Sequence, residues 1–253
     1  MDGTTANLAA FVAVTSGRRG TVGQIPGGVA VASPVPVANG YVNAAFRTRV
    51  DGAPDAFLDG ARSFFAEVGH PFVVWVPTGD TDLLAAVASG GTPDGTDTPA
   101  MCRTEPVDRP SDLQIREIGQ IREIGGAQDR DLFGRLCESG YGQPGLAWLL
   151  GHHGSYDVPG ATWVIAADDT GDLGGGCGHL DGATGGIYYV ATPPEHRGRG
   201  AAASVTAWLV NHLLEAGADQ VALQASDSGY PIYDRLGFAT VGAYRRFTFE
   251  APN

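Results

Sequence analysis

Apolar residues recur at Phe57, Leu58, Ala61, Phe64, Phe65 and Val68, the three-and-four spacing of a single helix face, and predict a helix over Pro54–Val68. Asp51-Gly52-Ala53-Pro54-Asp55 opens it, with proline suited to a first helical turn. Pro71 to Val76 is an unbroken apolar run of the buried-strand kind. Thr21 to Ala32 and Gly40 to Val50 also predict strands, and Pro34 and Pro36 mark a turn between them. Thr81 to Ala88 reads as a short amphipathic helix, Gly90 to Thr98 as a polar loop and Thr98 to Arg103 as a weak strand. Pro106 to Ser111 reads as a linker.

Beyond it the pattern predicts helical stretches at Gln128–Ser139 and Pro144–His152, then strands near Thr162–Ala167, Gly174–Leu180 and Gly186–Thr192. A helix at Ala203–Ala216, a strand at Val221–Ala225, a short helix with Tyr233 and a final strand near Ala243–Phe249 complete the chain. This mixture predicts an α/β or α+β layered architecture. The order strand, helix, strand, short helix, strand occurs in both halves, so a degenerate copy at 1–110 and a second domain at 111–253 are expected. Gln114-Ile115-Arg116-Glu117-Ile118-Gly119 repeats at once as residues 120–125. Six residues preserve strand alternation, and two copies are too few for a solenoid.

Composition narrows the function. The formal charge is −12, which disfavours nucleic acid and anionic membranes as partners and mildly favours an amine-bearing substrate. No apolar stretch is long enough for a membrane span, and the apolar run Leu8–Val14 follows an acidic start unlike that of a signal peptide. Three scattered cysteines, Cys102, Cys137 and Cys177, fit a reducing cytoplasm. Neither His152-His153 nor Cys177 with His179 has the paired spacing of a metal site, so no metal is expected.

In this acidic chain Pro193-Pro194-Glu195-His196-Arg197-Gly198-Arg199-Gly200-Ala201-Ala202 stands out. It joins a predicted strand to a predicted helix, and its small residues leave backbone N–H groups uncrowded for a pyrophosphate. All 16 basic residues are arginines, so a phosphate loop that needs lysine is excluded, as is Schiff-base chemistry. A dinucleotide fingerprint would have different glycine spacing and would lie near the first strand. Coenzyme A survives this elimination. In the first half the matching turn carries Asp51 and Asp55, which would repel a pyrophosphate.

Arg197-Gly198-Arg199-Gly200-Ala201-Ala202 resembles the R/Q-x-x-G-x-G/A signature of the GNAT superfamily of acyl-CoA-dependent N-acetyltransferases. Tyr230-Pro231-Ile232-Tyr233-Asp234-Arg235-Leu236-Gly237-Phe238 is similar to the second family signature, about thirty residues downstream. The resemblance covers about Gln114 to Phe249 and implies a GNAT fold, in tandem with the degenerate N-terminal copy. It implies acetyl-CoA as co-substrate and direct attack by an amine of a small molecule or peptide. Gly198, Arg199, Gly200, Ala201 and Ala202 match the pyrophosphate cradle, with Arg197 opening the motif. Val190, Ala191 and Thr192 match the strand that offers backbone groups to the pantetheine arm and thioester. Tyr233 matches the general acid that protonates the departing thiolate.

Ser226 lies where the family often has a cofactor-contacting asparagine, and Val221 where some members carry a basic glutamate. His179 is therefore the first candidate base, with Asp181, Glu195 and Tyr188 as others. The contrasting expectation is a module that binds or senses acyl-CoA without turnover. A hydrolase is disfavoured because G-x-S-x-G is missing. Monomer and homodimer both remain open.

Overall fold

The computed structural model describes residues 3–108, 121–123, 126–153, 156 and 158–251. The first half contains α1 (Gly3–Thr15), β1 (Thr21–Ile25), β2 (Gly28–Ala32), β3 (Ala44–Arg47), α2 (Pro54–Val68), β4 (Phe72–Pro77), α3 (Thr81–Val87), β5 (Thr92–Pro93) and β6 (Thr98–Arg103). There follow β7 (Ile121–Glu123), α4 (Ala127–Tyr141), α5 (Leu146–Trp148) with a π-type turn, and β8 (Ala161–Asp168), β9 (Gly171–Asp181) and β10 (Thr184–Ala191). The last elements are α6 (Ala201–Glu215), β11 (Gln220–Gln224), α7 (Tyr230–Arg235) and β12 (Ala239–Phe249).

Packing divides the chain into two units. One joins the residues up to Ala100 with those from Thr240 onward; the other is Met101–Ala239. The sequence expects domains at 1–110 and 111–253; the packing units follow two strands that leave their own half. β12 enters the first unit, and the second part of β6 lies in the second. Most of the duplicated segment lies outside the described residues; Ile121–Glu123 pairs with β8.

In the first unit the strands run β1-β2-β3-β4-β12, with β5 also on β12. β3 and β4 are parallel, whereas β1–β2, β2–β3, β4–β12 and β5–β12 are antiparallel. The helix α2 buries Phe57, Leu58, Ala61 and Phe65, as its spacing predicts, and ends at Gly69 in the left-handed region. Phe65, Phe72 and Phe249 stack in succession, with centroids 4.4 and 4.9 Å apart. Two expectations change here. Thr21–Ala32 is a hairpin rather than one strand, because Pro26-Gly27 turns the chain between β1 and β2, with Gly27 at φ +71°. Within Gly40–Val50 only Ala44–Arg47 is strand, since the buried Asn43 amide is committed to the carbonyls of Val35 and Val37.

In the second unit the order is β6-β11-β10-β9-β8-β7, with β10 parallel to β11. The run Gly174-Gly175-Gly176-Cys177-Gly178 in β9 admits a helix on each face. Added Cβ atoms at Gly176 and Gly178 would meet Val205 and Leu209 of α6 at 2.6 and 3.2 Å; one at Gly175 would meet Phe133 of α4 at 2.9 Å. The core on the α6 face joins Val164, Ile187, Val205, Leu209, Val221, Leu223 and Tyr233. Both units thus run helix, hairpin, strand, helix, parallel strand, short helix.

Candidate active site

The β9–β10 ladder pairs Tyr188 with Cys177 and then Ala191 with Gly175, so β10 holds one residue more than its partner. This bulge contains Tyr189 at φ +52°, the one non-glycine with positive φ among the described residues. Such a backbone costs about 1–3 kcal/mol and persists only where its surroundings hold it. On the other side of β10, parallel pairing with β11 runs from Thr184↔Gln220 to Ile187↔Leu223, while β10 continues to Ala191. The backbone of Val190 and Ala191 therefore lies beyond the parallel ladder and within the irregular part of the antiparallel one. Thr192 follows directly.

A short 3-10 turn, Pro194–His196, then carries the chain to Arg197. Gly198 and Gly200 have φ of +78° and +81°. A Cβ at Gly198 would meet nothing within 4 Å, so glycine is required there by its dihedral rather than by crowding. Gly200 is the N-cap of α6 and supplies no side-chain cap; the first helical bond runs from Ser204 N to Gly200 O. The N–H groups of Ala201 and Ala202 consequently stay at the open positive end of the helix dipole.

Both arginines anchor this turn. Arg197 donates to the carbonyls of Thr192 (3.4 Å) and Gly140 (3.0 Å). Arg199 pairs with the Asp168 carboxylate and donates to Thr170 Oγ1 at 2.8 Å. Hydrogen bonds from Thr170, then the Arg199 guanidinium, hold the Asp168 carboxyl below the usual range. The turn's cations are thus fixed in place rather than loose in solvent.

Tyr233 is mostly buried on α7, edge-on to Phe238 at 6.0 Å, and a Cβ at Gly229 would lie 2.8 Å from its ring. Ser226 is exposed, and its hydroxyl accepts from Gly229 N at the start of α7. Val221 is fully buried in the core on the α6 face, so the residue at that position points away from the α4 face. His179 is 3% exposed and pairs with Ala161 and Gly186. It lies on the same face of β9 as Cys177 and Gly175, the face that α4 covers. Desolvation lowers its pKa, partly offset by Asp181. His179 and Tyr233 therefore belong to opposite faces of the sheet. Tyr188 is buried opposite Cys177, whereas Glu195 and Asp181 are exposed.

The last turn of α4 was not singled out by the sequence, yet it touches this strand repeatedly. Tyr141 donates to the Val190 carbonyl at 3.1 Å, and Gly140 packs against Ala191 and Thr192. These contacts go to main-chain atoms and leave no motif.

In the first unit the corresponding place is filled. Arg47 follows the last parallel pair, Phe46↔Trp75, as Tyr188 follows Ile187↔Leu223. Its guanidinium meets both carboxylate oxygens of Asp80, at 2.9 and 2.7 Å, and also donates to the carbonyls of Val50 and Gly52. The turn before α2 thus presents carbonyl oxygens to an internal cation.

Residues 181–241, which span the end of β9, β10, the arginine turn, α6, β11 and α7, match the family model described as an acetyltransferase (GNAT) domain. Comparison with curated proteins finds no match. Among solved structures, a GCN5-related N-acetyltransferase from Kribbella flavida is 16% identical with a TM-score of 0.71, over 100% of this chain and 97% of that one. A GCN5-related N-acetyltransferase from Sphaerobacter thermophilus is 18% identical with a TM-score of 0.61, over 90% and 78%. A tandem GNAT protein from the clavulanic acid biosynthesis pathway is 14% identical with a TM-score of 0.55, over 89% and 79%. Residues 181–241 thus resemble a GNAT acetyltransferase domain, and the chain shares the fold of the GCN5-related N-acetyltransferase structures.

Proposed function

We propose that this protein transfers an acetyl group from acetyl-CoA to an amine of a small molecule or peptide. The observation that carries the reading is the one-residue bulge of β10, placed where its parallel ladder ends and leading into the glycine turn at α6. In this reading the N–H groups of Gly198 to Ala202 receive the pyrophosphate, with Arg197 and Arg199 fixing the turn. Val190, Ala191 and Thr192 offer main-chain groups to the pantetheine arm and polarise the thioester carbonyl. Ser226 stands at the mouth of α7 as a further cofactor contact.

The amine nitrogen attacks the thioester carbon; the C–N bond forms, and the C–S bond breaks as the tetrahedral intermediate collapses. Tyr233 gives its phenolic proton to the departing thiolate. His179, whose burial favours the neutral imidazole, is the candidate acceptor of the proton lost by the amine. The net charge of −12 favours a cationic amine at encounter. We assign the protein to the cytoplasm, in keeping with three free cysteines. The first unit, its turn closed by Arg47, serves as a structural or substrate-shaping partner.

Calorimetry with acetyl-CoA, followed by an amine panel read by free-thiol release, tests the proposal. Binding with thiol release on one amine class is expected. Binding without release on any amine would favour an acyl-CoA sensor, and no binding would end the coenzyme A reading.

A further inference from the structure

The end of α4 grips the bulged strand at consecutive points. The Cys137 thiol faces the Tyr189 carbonyl at 3.9 Å, and the Tyr141 hydroxyl donates to the Val190 carbonyl at 3.1 Å. Gly140 lies so close that a Cβ there would be 3.0 Å from both Ala191 Cβ and Thr192 N. The Gly140 carbonyl in turn accepts from Arg197 at 3.0 Å. One helical turn therefore touches the strained residue, the three residues after it and the turn that follows. Tyr141 is 41% exposed, so its ring adds little to the core.

We propose that Tyr141 is a positioning residue for the acetyl-CoA thioester, a reading that rests on the acetyltransferase assignment above. By engaging the Val190 carbonyl, the Tyr141 hydroxyl fixes the peptide plane between Val190 and Ala191. That plane carries the Ala191 N–H, so its tilt decides where this donor points. A donor held in advance of binding stabilises developing charge without reorganising during the reaction. The arginine turn does not depend on this bond, because Gly140 and Arg197 hold it separately.

Two ligands separate these contributions. Coenzyme A and acetyl-CoA share the pyrophosphate and pantetheine contacts, whereas only acetyl-CoA adds a thioester carbonyl at the bulge. Tyr141→Phe in the full chain removes only the hydroxyl. The melting temperature and coenzyme A affinity are expected to stay unchanged, while acetyl-CoA affinity falls about three- to tenfold, the size of one lost hydrogen bond. The turnover number should fall and the KM for the amine should not change. Equal weakening of both ligands, or of neither, would overturn the positioning role. Wild-type protein that binds neither ligand would overturn the acetyltransferase reading and this one with it. Gly140→Ala gives a second measure, because its methyl group would push Ala191 and Thr192 without removing any hydrogen bond. It should impair acetyl-CoA binding at least as much as Tyr141→Phe, and wild-type affinity for acetyl-CoA in this variant would count against the clamp.

Discussion

Arg47 and Asp80 form a two-oxygen ion pair from the end of β3 to the N-cap of α3, with side chains 4% and 12% exposed. Asp80 also accepts from Leu83 N at 3.1 Å, so the carboxylate serves both the guanidinium and the helix start. The first unit's turn is thereby committed to internal bonding. One acetyl-CoA per chain is expected, and two equivalent sites in calorimetry would refute the assignment. Asp80→Ala leaves Arg47 buried without its counter-charge and should cost about 3–5 kcal/mol of stability, read by urea unfolding.

At the arginine turn, replacing both Arg197 and Arg199 with glutamate removes two anchors and reverses the local field. Acetyl-CoA affinity should fall at least tenfold, roughly the minimum for loss of charge-assisted contacts. The loss should be smaller at high salt, where the added repulsion is screened. Unchanged affinity would mean that the turn plays no part in binding.

Tyr233→Phe keeps the ring against Gly229 and Phe238 and removes the phenolic proton. Turnover is expected to drop about ten- to thousandfold, as loss of a positioned acid does when water partly replaces it. Coenzyme A affinity and melting temperature should hold. Wild-type turnover would remove Tyr233 from the mechanism.

His179 gives a pH signature. Its folded pKa lies below the ordinary 6.5 because burial disfavours the imidazolium. Between the folded value and about 6.5 the unfolded chain binds the extra proton, so stability rises with pH through that window and is lost as pH falls. Asp97 and Asp168 have lowered carboxyl values, and their stabilisation is lost only in the acid range near and below 3.8. His179→Gln should flatten the slope of melting temperature just below pH 6.5 while leaving the acid limb intact. An unaltered slope in that window would show that another group is responsible.

The α2 face and the run from Phe72 to Val76 were readable because period and length distinguish helix from strand without knowledge of partners. The arginine turn was readable for a different reason: glycine dihedrals and charge concentrate in ten residues. α1 escaped notice because Leu8, Phe11 and Val12 are buried together with Thr4, Thr5 and Asn7, so no polar face marks its helical period. Strand alternation at Ala243–Phe249 announces a strand and is silent about its pairing with β4 of the first unit. The Tyr141–Val190 bond is invisible for a like reason, since its acceptor is a carbonyl that every residue possesses. At His179 the sequence offered an imidazole, and only burial and strand register show which face it occupies.

The passage of β12 into the first unit also sets an order of events on the ribosome. Tyr244, which meets Thr5 and Thr4 through hydroxyl bonds of 2.8 Å across separations of 239 and 240 residues, is made only after the whole second unit. Until then β4 lacks its β12 neighbour, and Phe65 and Phe72 lack the Phe249 ring that completes their stack. Met101–Ala239 is one uninterrupted stretch that emerges earlier. The usual precedence of N-terminal over C-terminal domains during translation is therefore reversed here: the unit that starts first finishes last. An apolar surface around β4 must wait, exposed to chaperones, through the making of the whole second unit.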